Sequence, residues 1–109
     1  MKIDSSITMY VIVRNDLAPV YKMVQGAHAI ADYALLYPRR FRKWDNSTLI
    51  FLGVRNLIEL NDIVRRLCVN NDIDGWASFH EPDLDRQLTA LATTDPFIIK
   101  NYFQDLQLA

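Results

Sequence analysis

Runs of apolar and β-branched residues divide this chain into alternating strands and helices. Four such runs predict strands, at Ile7 to Val13, Thr48 to Val54, Trp76 to His80 and Leu88 to Thr93. The first run is rich in β-branched residues, which is typical of a strand buried on both faces of a sheet. The first three strands are separated by segments long enough to hold helices.

The segment after the first strand carries the start and stop signals of a long helix. Asp16 can cap this helix, and Pro19 is tolerated in its first turn. The helix should run to about Tyr37, because Pro38 forces a break and can begin a second, short helix. We therefore predict two consecutive helices between the first two strands.

Two further helices are predicted from their caps and periodicity. Asn56 can cap a third helix, with Glu59 three residues later in an imperfect capping box. A last helix begins at Asp95-Pro96 and runs to about Phe103. The third helix has an apolar stripe that should face the core, consisting of Leu57, Leu60, Ile63, Val64, Leu67 and Cys68.

The order of elements is strand, helix, short helix, strand, helix, strand, strand, helix. Helix-length crossovers favour parallel pairing of the earlier strands, and the shorter 81–87 connection allows the last two to be antiparallel. We predict an α/β fold in one domain covering residues 1–109, with a four-stranded mixed sheet and helices packed on its faces. A chain of 109 residues can bury a core of its own.

A row of polar side chains distinguishes the first long helix. At about 100° per residue, Lys22, Gln25, His28 and Asp32 lie on the side opposite an apolar set. We expect that set to pack on the sheet. Gly26 costs a helix interior about 1 kcal/mol relative to alanine, which close approach of another molecule would explain. The row is either a site or an ordinary solvated face. The apolar set is Val20, Met23, Val24, Ala27, Ile30, Ala31 and Ala34.

Composition and charge exclude several classes of protein. The net charge of -1 does not predict a nucleic-acid binder from the whole molecule. Cys68 is the single cysteine, which excludes an internal disulfide and a cysteine-based metal site, so a reducing cytosol is expected. The first residues lack the apolar run of a signal peptide, and no stretch is long enough to span a bilayer. We expect a cytoplasmic protein without a membrane partner.

Positive charge is concentrated after Pro38, where basic residues alternate with aromatic ones. Such clusters suit phosphate contact and base stacking. They also occur on solvated helix faces whose aromatic residues pack inward, and this ordinary interpretation is slightly favoured by the cluster alone. The residues concerned are Arg39, Arg40, Phe41, Arg42, Lys43 and Trp44.

The segment from Glu81 to Asp85 places three carboxylates in one connection, and Thr89 follows it. Acidic clusters can bind a metal or supply a general base, although a turn shaped by proline and aspartate is the commoner outcome. The chain has no phosphate-binding glycine loop, nucleophile elbow, zinc pattern or dinucleotide fingerprint. We therefore predict no metal and no cofactor.

Three stretches resemble the class II peptidyl-tRNA hydrolase family. Tyr10 to Leu17 resembles the first strand of that family and its exit, and Gln25-Gly-Ala-His-Ala29 resembles its glutamine-x-x-histidine-alanine helix signature. Thr89 to Ala92 resembles its last strand. The order of strands and helices matches the family's compact α/β fold over most of the chain.

The resemblance implies hydrolysis of the ester between a peptide and the terminal ribose of tRNA, with no cofactor and with homodimer formation. It implies that Lys22, His28, Glu81 and Thr89 serve catalysis. It also implies a substrate-binding role for residues at the strand exit, on the helix and in the basic cluster, namely Arg14, Asp16, Gln25, Arg39, Arg40, Arg42 and Lys43.

The sequence departs from the family pattern at two places. The signature lysine of the family stands four residues before the glutamine, where this chain has Tyr21, and Lys22 is three residues before it. The family's glycine- and proline-containing loop before the last strand, with its aspartate and threonine-glutamine pair, is replaced by the shorter segment from Glu81 to Leu88. Glu81 then takes the place of the aspartate and Thr89 that of the threonine nearest the strand, and the threonine-glutamine pair has no counterpart.

These residues support a direct attack of water on the ester. Glu81, or neutral His28, is expected to act as the base, and Lys22 to hold a phosphate or the oxyanion. Gln25 is expected to orient the carbonyl or the ribose, and Thr89 to orient the water. The rival hypotheses are a catalytically inactive RNA-binding module of the same fold and a protein-interaction domain that uses the basic cluster.

Overall fold

Residues 7–109 are described by a computed structural model, and they form one mixed sheet with helices on both faces. The sheet order is β3-β4-β1-β2-β5. β1 and β2 are parallel, and each of the other neighbouring pairs is antiparallel. The strands are β1 (Thr8–Arg14), β2 (Thr48–Val54), β3 (Trp76–Glu81), β4 (Gln87–Thr93) and β5 (Gln107–Leu108).

The α/β class and the mixed pairing are confirmed, but the predicted count of four strands is wrong. The fifth strand, Gln107–Leu108, has two residues, and both are exposed. It pairs with Leu52 and Gly53 of β2. A strand this short and this exposed has no apolar alternation, so its sequence carries no signal of it.

The helices end close to where the prolines and caps predict. They are α1 (Pro19–Leu36), α2 (Pro38–Trp44), α3 (Leu57–Cys68) and α4 (Pro96–Tyr102). The side chain of Asn56 accepts a hydrogen bond from the Glu59 amide, and that of Asp95 accepts from the first turn of α4. The predicted cap of α1 is wrong, because Ala18 holds that position and Asp16 bonds to Arg14 instead.

Each face of the sheet has its own core. On one face, Val11 and Val13 of β1 pack with Ala29 and Tyr33 of α1, and α2 adds Trp44. On the other face, a second set of apolar side chains from β1, β2 and β4 packs with α3 and α4; the buried members of this core are Ile12, Leu52, Val54, Leu60, Ile63, Leu67, Leu88, Leu91, Ile98 and Phe103. The two helices that follow β1 and β2 therefore cover opposite faces.

The predicted orientation of α1 is wrong. Its buried residues are Gln25, Gly26, Ala29 and Tyr33, so part of the polar row faces the sheet. The apolar set predicted for the core lies largely at the surface, where Val20 is 78% exposed and the neighbouring positions are open as well; the exposed members are Val20, Met23, Val24, Ala27 and Ala31.

Small side chains explain this orientation. A Cβ added at Gly26 would lie 2.3 Å from the ring of Phe51 and 3.1 Å from Val11, so the backbone of α1 approaches the sheet too closely for any larger residue. Ala29, on the same face, is fully buried. The glycine therefore permits close packing of α1 on the sheet. The close approach expected at this position is made by the sheet and not by another molecule.

Candidate functional site

A buried hydrogen-bond chain joins α1 to the last two long strands. The Gln25 side-chain amide donates to Oε1 of Glu81 over 2.8 Å, and the Thr89 hydroxyl donates to Oε1 of Gln25 over 2.6 Å. Gln25 and Thr89 are fully buried, and Glu81 is 8% exposed. We call this set the Gln25 bridge. It brings Gln25 together with two predicted site residues that lie 56 and 64 positions later in the sequence.

The Glu81 carboxylate is held at both oxygens. Its Oε2 accepts a hydrogen bond from the Asp83 backbone amide at 3.1 Å, and the Tyr21 hydroxyl donates to the same carboxylate. The hydrogen bond from Gln25 lowers the pKa of Glu81 most, followed by the Asp83 amide, and burial opposes both. Glu81 is therefore ionised at neutral pH.

Tyr21 is a site residue that was not predicted from the sequence. Burial raises the pKa of its phenol, and the negative charges of Glu81 and Asp83 raise it further. The hydroxyl therefore stays protonated and can donate a hydrogen bond at neutral pH. Its position four residues before Gln25 places both side chains on one flank of the helix, which was the available signal.

His28 lies beside this carboxylate and stacks on an aromatic ring. Its imidazole is parallel to the ring of Phe79, with an interplanar angle of 9° and 4.4 Å between ring centroids. His28 is exposed, and its charge contributes to lowering the pKa of Glu81. The predicted convergence of His28 with the segment that begins at Glu81 is thus present.

Lys22 does not join this group. Its Nζ donates a hydrogen bond to Oδ1 of Asn15 over 3.0 Å, at the exit of β1. Tyr21, at the position of the family's lysine, contacts Glu81 instead. The chain therefore places a neutral hydroxyl at the carboxylate where the resemblance predicted a cation.

Arg14 and Asp16 are occupied by contacts within the protein. The guanidinium of Arg14 binds both carboxylate oxygens of Asp16 at 3.0 and 2.8 Å, and it also donates to Gln87 Oε1 at 2.9 Å and to the Leu88 carbonyl. This hydrogen bond from Arg14 is the main cause that lowers the pKa of Asp16. Arg14 is 6% exposed. The pair fixes the end of β1 to the start of β4.

The basic cluster divides into two parts. Arg40 binds Oδ1 of Asp74 at 3.1 Å and lies 4.0 Å from Oδ2 of Asp95, so it ties α2 to the sheet. Trp44 is buried and donates its Nε1–H to the Thr48 carbonyl, which removes it from base stacking. The cations left on the surface of α2 are Arg39, Arg42 and Lys43.

The acidic segment forms a turn. Pro82–Leu84 is a single 3-10 turn, and Asp85 and Arg86 adopt left-handed backbone angles with φ of 53° and 62°. Within residues 7–109, no three His, Cys, Asp or Glu side chains are grouped so that they could hold a metal ion. This segment therefore forms the turn between β3 and β4, in which the Asp83 backbone amide donates a hydrogen bond to Glu81.

A cavity of about 800 Å³ lies away from the Gln25 bridge. It opens between the first turns of α3 and the segment after α4, and Asn15, Arg55 and Leu108 are among the residues that line it. None of the residues of the Gln25 bridge lines this cavity.

Comparison with known proteins shows what the fold resembles. No family model matches the sequence, and no curated protein matches it. A solved structure of a protein of unknown function from Agrobacterium tumefaciens strain C58 superposes with a TM-score of 0.69. The match has 15% sequence identity and covers 94% of this chain and 96% of that one. At this identity the likeness concerns the fold alone.

The helices of residues 7–109 are too short or too polar to cross a membrane. None of them combines the length and the hydrophobicity that a bilayer span requires. The resemblance to class II peptidyl-tRNA hydrolases remains a prediction from the sequence.

Proposed function

We propose that this protein hydrolyses the ester of peptidyl-tRNA and releases free tRNA in the cytoplasm. The observation that carries the proposal is the Glu81 carboxylate, ionised at neutral pH and held in one orientation by Gln25, the Asp83 amide and Tyr21. A fixed carboxylate near the surface is suited to accept a proton from an attacking water.

The proposed reaction begins when the oxygen of a water molecule attacks the ester carbonyl and Glu81 takes a proton from that water. The carbonyl π electrons move onto oxygen, and as Glu81 becomes protonated the Tyr21 hydroxyl exchanges its hydrogen bond to Glu81 for one to the oxyanion that forms. The tetrahedral intermediate then collapses, the bond to the ribose oxygen breaks, and Glu81 returns the proton to that oxygen. The products are the free peptide acid and a tRNA with its terminal hydroxyl restored.

Gln25 and Thr89 act through Glu81 in this proposal. Both are fully buried, so neither touches the substrate. Gln25 holds the carboxylate, and Thr89 fixes the orientation of the Gln25 amide. Both are therefore positioning residues. The sequence had suggested that they contact the ester or the attacking water directly.

The cations at the surface are assigned to RNA phosphates. Lys22 lies one residue from Tyr21, close to the site. Arg39, Arg42 and Lys43 follow the far end of α1, which rises about 1.5 Å per residue and so places them about 20–25 Å away. An RNA longer than a few nucleotides reaches both.

Turnover of purified peptidyl-tRNA tests the proposal. We expect Glu81→Gln to lower the rate by about 10²–10⁴-fold, because an amide cannot accept the proton from water. We expect Tyr21→Phe to lower the rate by about 10²–10³-fold, because the hydrogen bond to the oxyanion is lost. Ile58→Ala, at an exposed position of α3 on the other face of the sheet, is the control for handling and folding. Unchanged turnover in folded Glu81→Gln would exclude this site.

An inactive RNA-binding module is the second candidate, and the contact between Tyr21 and Glu81 favours it, since a neutral hydroxyl stands at the position of the family's lysine. It predicts salt-sensitive binding of tRNA by the wild type and no release of peptide from peptidyl-tRNA. Homodimer formation, implied by the same resemblance, belongs to either candidate, and sedimentation equilibrium of the full chain measures it.

A further inference from the structure

The stacked pair of His28 and Phe79 has a feature that a catalytic role for His28 does not use. The two rings are parallel within 9° and their centroids are 4.4 Å apart, so Phe79 covers one face of the imidazole. Phe79 belongs to β3, and its carbonyl accepts a hydrogen bond from the buried Thr89 hydroxyl at 3.3 Å. His28 itself is exposed. A flat aromatic ring is thus held at the surface by a fixed support.

We infer that His28, supported by Phe79, is a stacking platform for the terminal base of an RNA 3′ end. Proteins that recognise single-stranded RNA ends commonly stack the unpaired base on an aromatic side chain, histidine included. The inference rests on the proposed function and adds to it the part of the substrate that His28 contacts.

The neighbouring charge selects a terminal nucleoside over an internal nucleotide. Glu81 is negatively charged, follows Phe79 by two residues in β3, and binds Gln25, which lies three residues before His28 in α1. A phosphate attached to the stacked nucleoside on that side would be repelled by the carboxylate. The terminal nucleoside of tRNA carries hydroxyl or ester oxygens there, and the Tyr21 hydroxyl and the Glu81 carboxylate can form hydrogen bonds with these neutral groups.

The surface next to His28 suits the edge of a base. Val24 lies one helical turn before His28 and is 44% exposed, so an apolar side chain borders His28 on this flank of α1. An apolar rim beside an aromatic ring favours a neutral planar ligand. The charged surface of α2 begins only beyond the far end of the helix.

Binding of two acceptor-stem minihelices tests the inference without requiring hydrolysis. One minihelix ends in adenosine, and the other carries an abasic ribose at the same terminal position. We expect wild-type protein to bind the first more tightly by about 5- to 150-fold, the range for stacking of one base. The measured quantity is the ratio of the two Kd values at one fixed salt concentration.

Variants of His28 separate stacking from other effects. His28→Leu and His28→Gln remove the aromatic ring, and we expect both to bring the ratio close to 1. His28→Phe keeps a ring and should retain the preference for the terminal base. His80→Leu is the matched control, because it makes the same substitution at the other histidine, which is exposed on β3. It should keep the wild-type ratio.

A ratio near 1 in the wild type, or a wild-type ratio in folded His28→Leu and His28→Gln, would overturn the inference. Turnover of peptidyl-tRNA by the same wild-type preparation is measured separately. A clear base preference without turnover would reject the proposed hydrolase and retain the platform. Turnover without a base preference would do the reverse.

Discussion

At the scale of single residues, Gln25 is the side chain on which the candidate site depends. Its amide contacts a carboxylate on one side and a hydroxyl on the other, and it has no access to solvent. Neither a flip of the side-chain amide nor the loss of a partner is tolerated, because a buried group left without a hydrogen bond costs about 1–3 kcal/mol. The geometry of Glu81 is therefore tied to the stability of the core.

Thr89→Val tests this dependence. The substitution keeps the shape of the side chain and removes the donor to Gln25, so we expect the free energy of unfolding to fall by about 1–3 kcal/mol. Urea denaturation measures it. Thr48→Val, at an exposed position of β2, should change it by less than about 0.5 kcal/mol. Equal effects at the two threonines would contradict the described bonding of Thr89.

The ionisation of Glu81 makes a prediction about pH. The pKa of Glu81 is lower in the folded protein than in the unfolded chain. Its stabilising effect is therefore present above the unfolded pKa and lost as pH falls through the folded pKa. We expect the wild type to be more stable than Glu81→Gln at pH 7, and this advantage to shrink as the pH falls below the unfolded pKa of 4.5. A stability difference between the two proteins that does not change with pH would refute the lowered pKa of Glu81.

The site residues differ in how far the sequence could predict them. The resemblance assigned Gln25, His28 and Glu81 to one site together with Lys22; the first three lie close together, and Lys22 binds Asn15 instead. Tyr21 was missed, since tyrosine on a helix flank is ordinary unless its acceptor is known. The partner of Lys22 depends on the path of the chain between β1 and α1, which no local pattern specifies.

At the scale of elements, α1 shows the limit of helical periodicity. The pattern assigned the apolar set to the core, whereas the buried face consists of Gln25, Gly26, Ala29 and Tyr33. Apolar burial normally decides such a choice, but here Gly26 and Ala29 permit a shorter distance between helix and sheet, and Gln25 finds partners for its buried amide. Close packing and satisfied hydrogen bonds thus outweigh the burial of Val20 and Val24.

Matched substitutions on the two faces of α1 test its orientation. We expect Val24→Gln, at a 44% exposed position, to change the free energy of unfolding by less than about 0.5 kcal/mol. Ala29→Gln, at a fully buried position, should cost about 1–3 kcal/mol or more from overpacking and a buried amide. Thermal denaturation of both variants measures the contrast, and the opposite order would restore the orientation expected from the apolar pattern.

Gly26→Ala tests the close approach of α1 to the sheet. Alanine gains about 1 kcal/mol of helix propensity, but its Cβ would meet the Phe51 ring at 2.3 Å. We expect net destabilisation of about 1–2 kcal/mol, measured by urea denaturation.

The control for this prediction is the same change in a Phe51→Leu background. The smaller side chain removes the contact, so Gly26→Ala should there be neutral or stabilising. Destabilisation of the same size in both backgrounds would show that Phe51 is not the obstacle.

At the scale of the whole molecule, the order and type of the long elements were predictable. Each long strand and each helix is marked by its own periodicity, cap or proline. The sheet order β3-β4-β1-β2-β5 could not be predicted in the same way, because it depends on which strands lie next to β1 after folding. β5 escaped prediction, since two exposed residues bury no apolar surface.

The distribution of surface charge makes a prediction at this scale. We replace Arg39, Arg42 and Lys43 together by Gln. The slope of log K for tRNA binding against log salt concentration should then become smaller by about 2–3, because each lost phosphate contact contributes about 0.7–0.9 to it. Filter binding at several salt concentrations measures the slope. The control triple, Arg65→Gln, Arg66→Gln and Lys100→Gln, removes the same charge from α3 and α4. An equal reduction in both would mean that the α2 cations make no specific contact.

The central position of β1 has a consequence for how the protein is made. Arg14, at the end of that strand, bonds to Gln87, which lies 73 residues later in the chain. At ribosomal rates of about 5–20 residues per second, the first strand waits about 4–15 seconds before its antiparallel neighbour is synthesised. During this interval the apolar side chains of β1 are not yet covered on the side where β4 will pair. Chaperone capture of the nascent chain should therefore be strongest just before β4 emerges.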